Sequence, residues 1–258
     1  MQDYAIVTGG GTGIGLAIAR ALAERGLQVL ICGRREAPLR EASQRYGAGL
    51  QPVVADVATE AGRGALRQAL PAQARLRALV HNAALLEPVC ALADMDPAAW
   101  RRHYAVNVEA PLFLTRELLP VLDGGGRVLH ISSGAAHHAY PGWAAYCSSK
   151  AALHMLFLAW KSEWPVERIA FGSLRPGVVN TPMQAHIRGI PAQRFPAVER
   201  FQRLHAEGGL REPAEVGGFA AWLLMEQGAA AYSAQEWDLG DPGHRRQWER
   251  QGERPRPG

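Results

Sequence analysis

The chain is poor in cysteine. Cys32, Cys90 and Cys147 are three in 258 residues, too few, odd in number and too scattered to frame disulfides or a zinc site. Long apolar runs are missing too. The richest, residues 151–160, contains His154 and falls short of the ~20 residues that span a membrane. The start has no basic region followed by an apolar one, and it runs at once into a strand-like Ala5-Ile6-Val7, so no secretion signal is expected. No charge sign dominates: the formal net charge is +4, with arginines near Arg34, near Arg101 and from Arg245 onward, which argues against a nucleic-acid partner. The nine histidines show no metal-ligand spacing, and the adjacent His137 and His138 cannot share a helix face; no metal is expected. Internal repeats and a dividing linker are absent. These absences leave a soluble, reduced, cytoplasmic protein with ample length for a buried core.

What is present is alternation. Short apolar runs at 4–7, 29–32, 50–54, 76–80, 128–131 and 169–174 are separated by helical periodicity, as at 16–23, 60–70, 98–119 and a helix bearing Tyr146 that runs to Glu163. That pattern predicts βαβ units and an α/β class: a single-domain, Rossmann-type, doubly wound parallel sheet flanked by helices. In such a sheet the ligand lies outside the carboxyl ends of the strands. Gly9, Arg34, Asp56, Asn82, Ser133 and Pro176 all fall at those ends. Between about 180 and 209 the alternation lapses, interrupted by Pro182, Gly189, Pro191 and Pro196; an insertion of this length reads as a substrate loop. A last helix at 214–225 and a short strand at 236–239 complete a cofactor-binding and catalytic domain of residues 1–242. Residues 243–258, rich in arginine, proline and glycine, read as a disordered tail.

Two stretches carry chemistry. The first is Thr8-Gly9-Gly10-Gly11-Thr12-Gly13-Ile14-Gly15, a glycine turn between a strand and a helix. Its spacing is G-x-x-x-G-x-G, and glycines let the backbone approach a pyrophosphate at a helix N-terminus. The second strand ends at Gly33, followed by Arg34 and Arg35. No carboxylate stands there to hold a ribose 2′-hydroxyl, and guanidinium suits a 2′-phosphate, so NADPH/NADP is expected over NAD. The plain alternative is that both arginines are a solvated helix start.

The second stretch runs from Ser133 to Lys150. Tyr146 and Lys150, four apart on a helix, share a face, and an ammonium favours the phenolate and lowers the phenol's pKa. Ser133 lies thirteen residues before Tyr146; Ser132 beside it leaves an ambiguity that the spacing weighs toward Ser133. Asn107 stands inside the long helix, where Asn is a poor former. His137, His138, Tyr140 and Trp143 lie between the serine and the tyrosine, as ordinary packing or as a wall of the substrate mouth.

Taken together, these residues resemble the short-chain dehydrogenases/reductases over about residues 4–241. The glycine turn, Asp56-Val57, Asn82-Ala83, Asn107, Ser133, Tyr146-x-x-x-Lys150 and Pro176-Gly177 occur in family order. Departures are His81-Asn82-Ala83-Ala84, where the family usually has Asn-Asn-Ala-Gly, and Asp238-Leu239-Gly240-Asp241-Pro242 in place of a late Gly-Gly. A finer similarity, to the benzil reductase and sepiapterin reductase-like subgroup, rests on Leu86-Glu87-Pro88-Val89, the phrase from Arg175 to Gln184, Ile187-Arg188 and Asp241-Pro242. The resemblance implies NADPH-dependent reduction of a ketone, often a 1,2-dicarbonyl. Tyr146 would be the general acid, Lys150 would also bond the nicotinamide ribose, Ser133 would polarise the carbonyl, and Asn107 would hold a water relaying protons from Lys150. Pro176, Gly177, Val179 and Thr181 would touch the nicotinamide and pyrophosphate, with Asp56, Val57, Asn82 and Ala83 also on the cofactor. The expected partners are a small carbonyl substrate and a second copy of the chain, as homodimer or homotetramer. Two other readings stand beside it: an NAD(P)-dependent alcohol dehydrogenase working oxidatively, and a non-catalytic dinucleotide-binding sensor.

Overall fold

The computed structural model describes residues 2–252. The chain runs β1 (Asp3–Thr8), α1 (Gly13–Ala23), β2 (Gln28–Gly33), α2 (Glu36–Tyr46), β3 (Leu50–Val54), α3 (Glu60–Ala69) and β4 (Arg75–His81). It continues with α4 (Pro97–Tyr104), α5 (Ala110–Leu122), β5 (Gly126–Ile131), α6 (Ala144–Glu163) and β6 (Ile169–Arg175). The last elements are α7 (Pro182–Arg188), α8 (Val198–Ala206), α9 (Pro213–Met225), α10 (Ala229–Ala234), β7 (Glu236–Asp238) and α11 (Pro242–Gly252). Among the described residues all seven strands are parallel, in the order β3-β2-β1-β4-β5-β6-β7. The order reverses direction between β1 and β4, and that switch opens the crevice at the carboxyl edge.

Side chains alternate across each strand, so β1 feeds two cores. Ala5 and Val7 pack into the layer with α1 and α9, while Tyr4 and Ile6 pack into the layer with α5 and α6. Gly217 of α9 lets two helices touch: a Cβ there would lie 2.5 Å from the carbonyl oxygen of Ala17 on α1. A third cluster sits over the carboxyl edge and joins Leu86, Val89, Trp143, Tyr146, Ile187 and Phe195. Among the described residues no helix is long and apolar enough to cross a membrane.

Three expectations need revision. The helix predicted over 98–119 is continuous but contains a π turn at Ala105–Glu109. Pro111 has no N–H to give the carbonyl of Asn107 four residues back, and its ring would clash there, so the backbone widens around Asn107. The stretch 180–209 is not an open loop; it folds into α7, capped by Thr181 at Gln184 N, and α8. The expected disordered tail is helical as α11 to Gly252. Asp241 caps it by accepting from the N–H groups of Gly243 and His244, Pro242 follows at its start, and Trp248 packs edge-on against Phe219. A helix start signal and one anchoring aromatic outweigh the polar composition. The rest of the expected tail lies outside the described residues.

Candidate active site

A cleft of about 440 Å³ opens at the carboxyl edge, walled by the glycine turn, residues 33–35, Asp56 and Val57, residues 82–85, Ser132, Tyr146, Lys150 and residues 181–183. The glycine turn is built for close approach. Gly9 and Gly13 take φ of +66° and +55°, and a Cβ on Gly15 would lie 2.3 Å from the oxygen of Gly9. Thr12 precedes α1 without a side-chain cap bond, so it leaves the first-turn N–H groups directed at the cleft. Asn82 ties β4 to this turn: its Nδ2 donates to the oxygens of Thr8 (2.9 Å) and Gly9 (3.2 Å). The Thr8 hydroxyl accepts from the N–H groups of Asn82 (3.0 Å) and Ala83 (3.1 Å). Such a cradle fits a dinucleotide.

Arg34 and Arg35 both line the cleft beside Gly33. Asp56 faces them. Partial burial pulls its pKa up, but the N–H of Ala58, Arg102 at 2.7 Å and the charge of Arg34 outweigh this and hold the carboxyl below its ordinary range.

At the other end, α6 presents Tyr146 and Lys150, both buried. Burial pulls the Lys150 ammonium down to about 8, and its Nζ donates to the Ile131 oxygen at 2.7 Å. Burial pushes the Tyr146 phenol up to about 12, against a hydrogen bond from Ser133. The expected lowering by Lys150 is not seen: desolvation dominates, and the lowering influence on the phenol is Ser133. Ser133 also accepts from the N–H of Ala135 at 3.1 Å, whereas the buried Ser132 hydroxyl has no hydrogen-bond partner among the described residues.

Thirteen of the predicted cofactor and catalytic residues line the cleft: Gly9, Thr12, Gly13, Ile14, Arg34, Arg35, Asp56, Val57, Asn82, Ala83, Tyr146, Lys150 and Thr181. Gly15, Asn107, Ser133, Pro176, Gly177 and Val179 are outside its lining. The Val178–Val179 backbone is instead ladder-bonded to Arg211, which gives its N–H to Val178 at 2.9 Å. The Asn107 amide is spent on protein: Oδ1 accepts from Leu85 N (2.8 Å) and Nδ2 donates to Leu85 O (3.0 Å) and Ser149 Oγ (3.1 Å). His103, fully buried, lies 2.8 Å from both that Nδ2 and Ser149 Oγ, with its Nδ1 2.7 Å from the Glu87 oxygen. Residues not singled out from sequence include Leu39, Leu85 and Val106 in the lining. Leu85 directly follows the Asn82-Ala83-Ala84 stretch, and that adjacency is the available signal. Tyr140 and Trp143 join Phe195 and Phe201 in an aromatic cluster, with Trp143 stacked on Phe195 at 4.3 Å. His137 leaves that wall and turns to Glu236.

The sequence model of the short chain dehydrogenase family matches residues 3–190. The benzil reductase ((S)-benzoin forming) of Bacillus subtilis is 31% identical over 247 residues, covering 87% of this chain and 93% of that protein. An uncharacterized oxidoreductase of Schizosaccharomyces pombe is 32% identical over 228 residues, covering 87% and 91%. Among solved structures, the KRED1-Pglu enzyme superposes with a TM-score of 0.84 at 32% identity, covering 91% of this chain and 100% of that one. A short chain dehydrogenase/reductase of Saccharomyces cerevisiae gives 0.86 at 26% identity, covering 95% and 98%. With a glycine cradle at the sheet's switch point, Tyr146 and Lys150 at its far end and a family match over most of its length, the chain belongs to the short-chain dehydrogenases/reductases.

Proposed function

We propose that this protein is an NADPH-dependent carbonyl reductase acting on a ketone or 1,2-dicarbonyl. The observation that carries the reading is Tyr146, hydrogen-bonded by Ser133 and next to Lys150, at the end of a cleft that begins in a glycine cradle. The nicotinamide, when bound, supplies the hydride. The protein's own work is to bind, orient and give a proton. Tyr146, with its phenol pushed up to about 12, is protonated at neutral pH and holds the proton that the developing alkoxide takes. Ser133 donates to the same oxygen as charge gathers on it. Lys150 holds the ribose and keeps positive charge beside the phenol, 5.7 Å from its ring.

Asn107 is a positioning residue here, fixing Leu85 on the cleft wall through both amide atoms. A water relay from Lys150 would run along its main chain, where Pro111 offers the carbonyl no N–H. Pro176, Gly177 and Val179 belong to the segment that would close against the nicotinamide. The helices α7 and α8, with Trp143 and Phe195, would form the substrate cover. The names of the benzil reductase relatives support a dicarbonyl substrate.

NADP(H) preference rests on Arg34 and Arg35 lining a cleft that has Gly33 where a carboxylate would repel the 2′-phosphate. Arg34→Ala is expected to weaken NADPH binding about 10- to 100-fold, the worth of a charge-assisted hydrogen bond, and to leave NADH binding nearly unchanged. Equilibrium titration of cofactor fluorescence reads this; an unchanged preference removes the arginine argument.

A further inference from the structure

Behind the reduction site, the fold gathers a group that chain spacing conceals. His137 follows the turn that begins at Ser133, His154 lies one turn beyond Lys150 on α6, and Glu236 opens β7. His137 Nε2 is 2.7 Å from Glu236 Oε2, and His154 Nδ1 is 3.1 Å from Oε1. The two imidazoles meet edge to face at 4.9 Å. One nitrogen from each ring and a carboxylate oxygen all lie within 4.8 Å of one another.

We propose that His137, His154 and Glu236 bind a divalent transition-metal ion of the zinc type. Two imidazoles and one carboxylate form a donor set that selects zinc, nickel or cobalt over calcium or magnesium, and three protein ligands leave a position open. An ion about 2.1 Å from each donor sets tetrahedral donors about 3.4 Å apart. Each ring nitrogen already lies within that distance of one carboxylate oxygen, His137 of Oε2 and His154 of Oε1. Bringing one oxygen and both nitrogens to that spacing from within 4.8 Å takes a small closure, which His137, with 34% of its side chain exposed, is free to supply.

Local charge is favourable. Glu236 and Asp238 bring two negative charges and Arg175 one positive, leaving −1 before an ion enters. Arg175 Nε lies 3.4 Å from Glu236, but its Nη2 is held by Asp238 at 2.8 Å. Ser173 Oγ donates to Glu236 at 2.9 Å and orients the carboxylate from behind. An ion there would tie the Ser133 turn to α6 and β7, and so brace the reduction site without touching substrate.

The test uses the full chain, freed of metal with a chelator and titrated with Zn²⁺ by calorimetry, with Co²⁺ as a spectroscopic substitute. Stoichiometric Zn²⁺ binding, visible Co²⁺ bands and no response to Mg²⁺ are expected. Glu236→Gln and His154→Ala should each weaken Zn²⁺ more than about tenfold, while His138→Ala binds as wild type. Because those two changes are partly buried, His137→Gln at the exposed ligand repeats the test in a variant whose unchanged circular dichroism shows that it folds. Absence of stoichiometric Zn²⁺ binding by wild type, or wild-type affinity in the folded His137→Gln, overturns the proposal. The readout is binding, so the outcome is independent of whether the protein reduces carbonyls.

Discussion

Lys150 shows how a single side chain acquires chemistry from its surroundings. The ammonium has an ordinary value of 10.5 and stands at about 8 because burial disfavours its charge. That difference corresponds to about 3 kcal/mol. Below pH 8 the group is charged in both folded and unfolded chains, and the folded state bears the whole cost. From 8 to 10.5 the folded chain sheds the proton first, the unfolded chain binds more protons, and stability rises with pH. Lys150→Met should therefore be more stable than wild type by about 3 kcal/mol below pH 8, a gap that closes by about pH 10.5. Comparing the two proteins by urea unfolding at stepped pH isolates this from Cys32, whose thiol burial pushes up from 9.0 to about 12 and which weakens both proteins alike at high pH. A gap that does not change with pH would contradict the burial argument. The sequence makes the Tyr146–Lys150 pair legible through its spacing. It does not show how deeply either is buried, so the direction of the tyrosine shift was hidden.

At the scale of elements, the strands and most helices were legible, because apolar period and glycine punctuation agree with the final packing. The π turn was not, although its local cause, Pro111 four residues after Asn107, stands in plain view. The pattern of apolar residues survives a one-residue widening, so periodicity alone passes over it. Helix α11 escapes a reading by composition, which speaks for disorder, because Trp248 and His244 act through partners in α9 and β7. Contact between α1 and α9 is likewise invisible in sequence, since Gly217 reads only as a weak helix former. Gly217→Ala would drive a methyl to 2.5 Å from the Ala17 oxygen and should cost about 1–3 kcal/mol through displaced helices. Thermal unfolding of that variant measures it; full stability would mean that α1 and α9 are not held at this distance.

One long cleft joins the glycine cradle at one end to Tyr146 and Lys150 at the other. Exposed Met155 on α6 and Val121 on α5 lie on the helices through which members of this family are expected to pair. We propose a dimer across that face, and Met155→Glu should shift the mass from dimer toward monomer in light scattering. A monomeric wild type would contradict this. The central claim, that the cleft reduces carbonyl compounds with NADPH, is tested most directly by NADPH oxidation with benzil, wild type against Tyr146→Phe, with cofactor binding measured in parallel. Turnover by wild type is expected, and in Tyr146→Phe unchanged NADPH binding with turnover reduced about 100-fold or more. Wild type that binds NADPH but oxidises it with no carbonyl compound, or Tyr146→Phe that turns over like wild type, would contradict it.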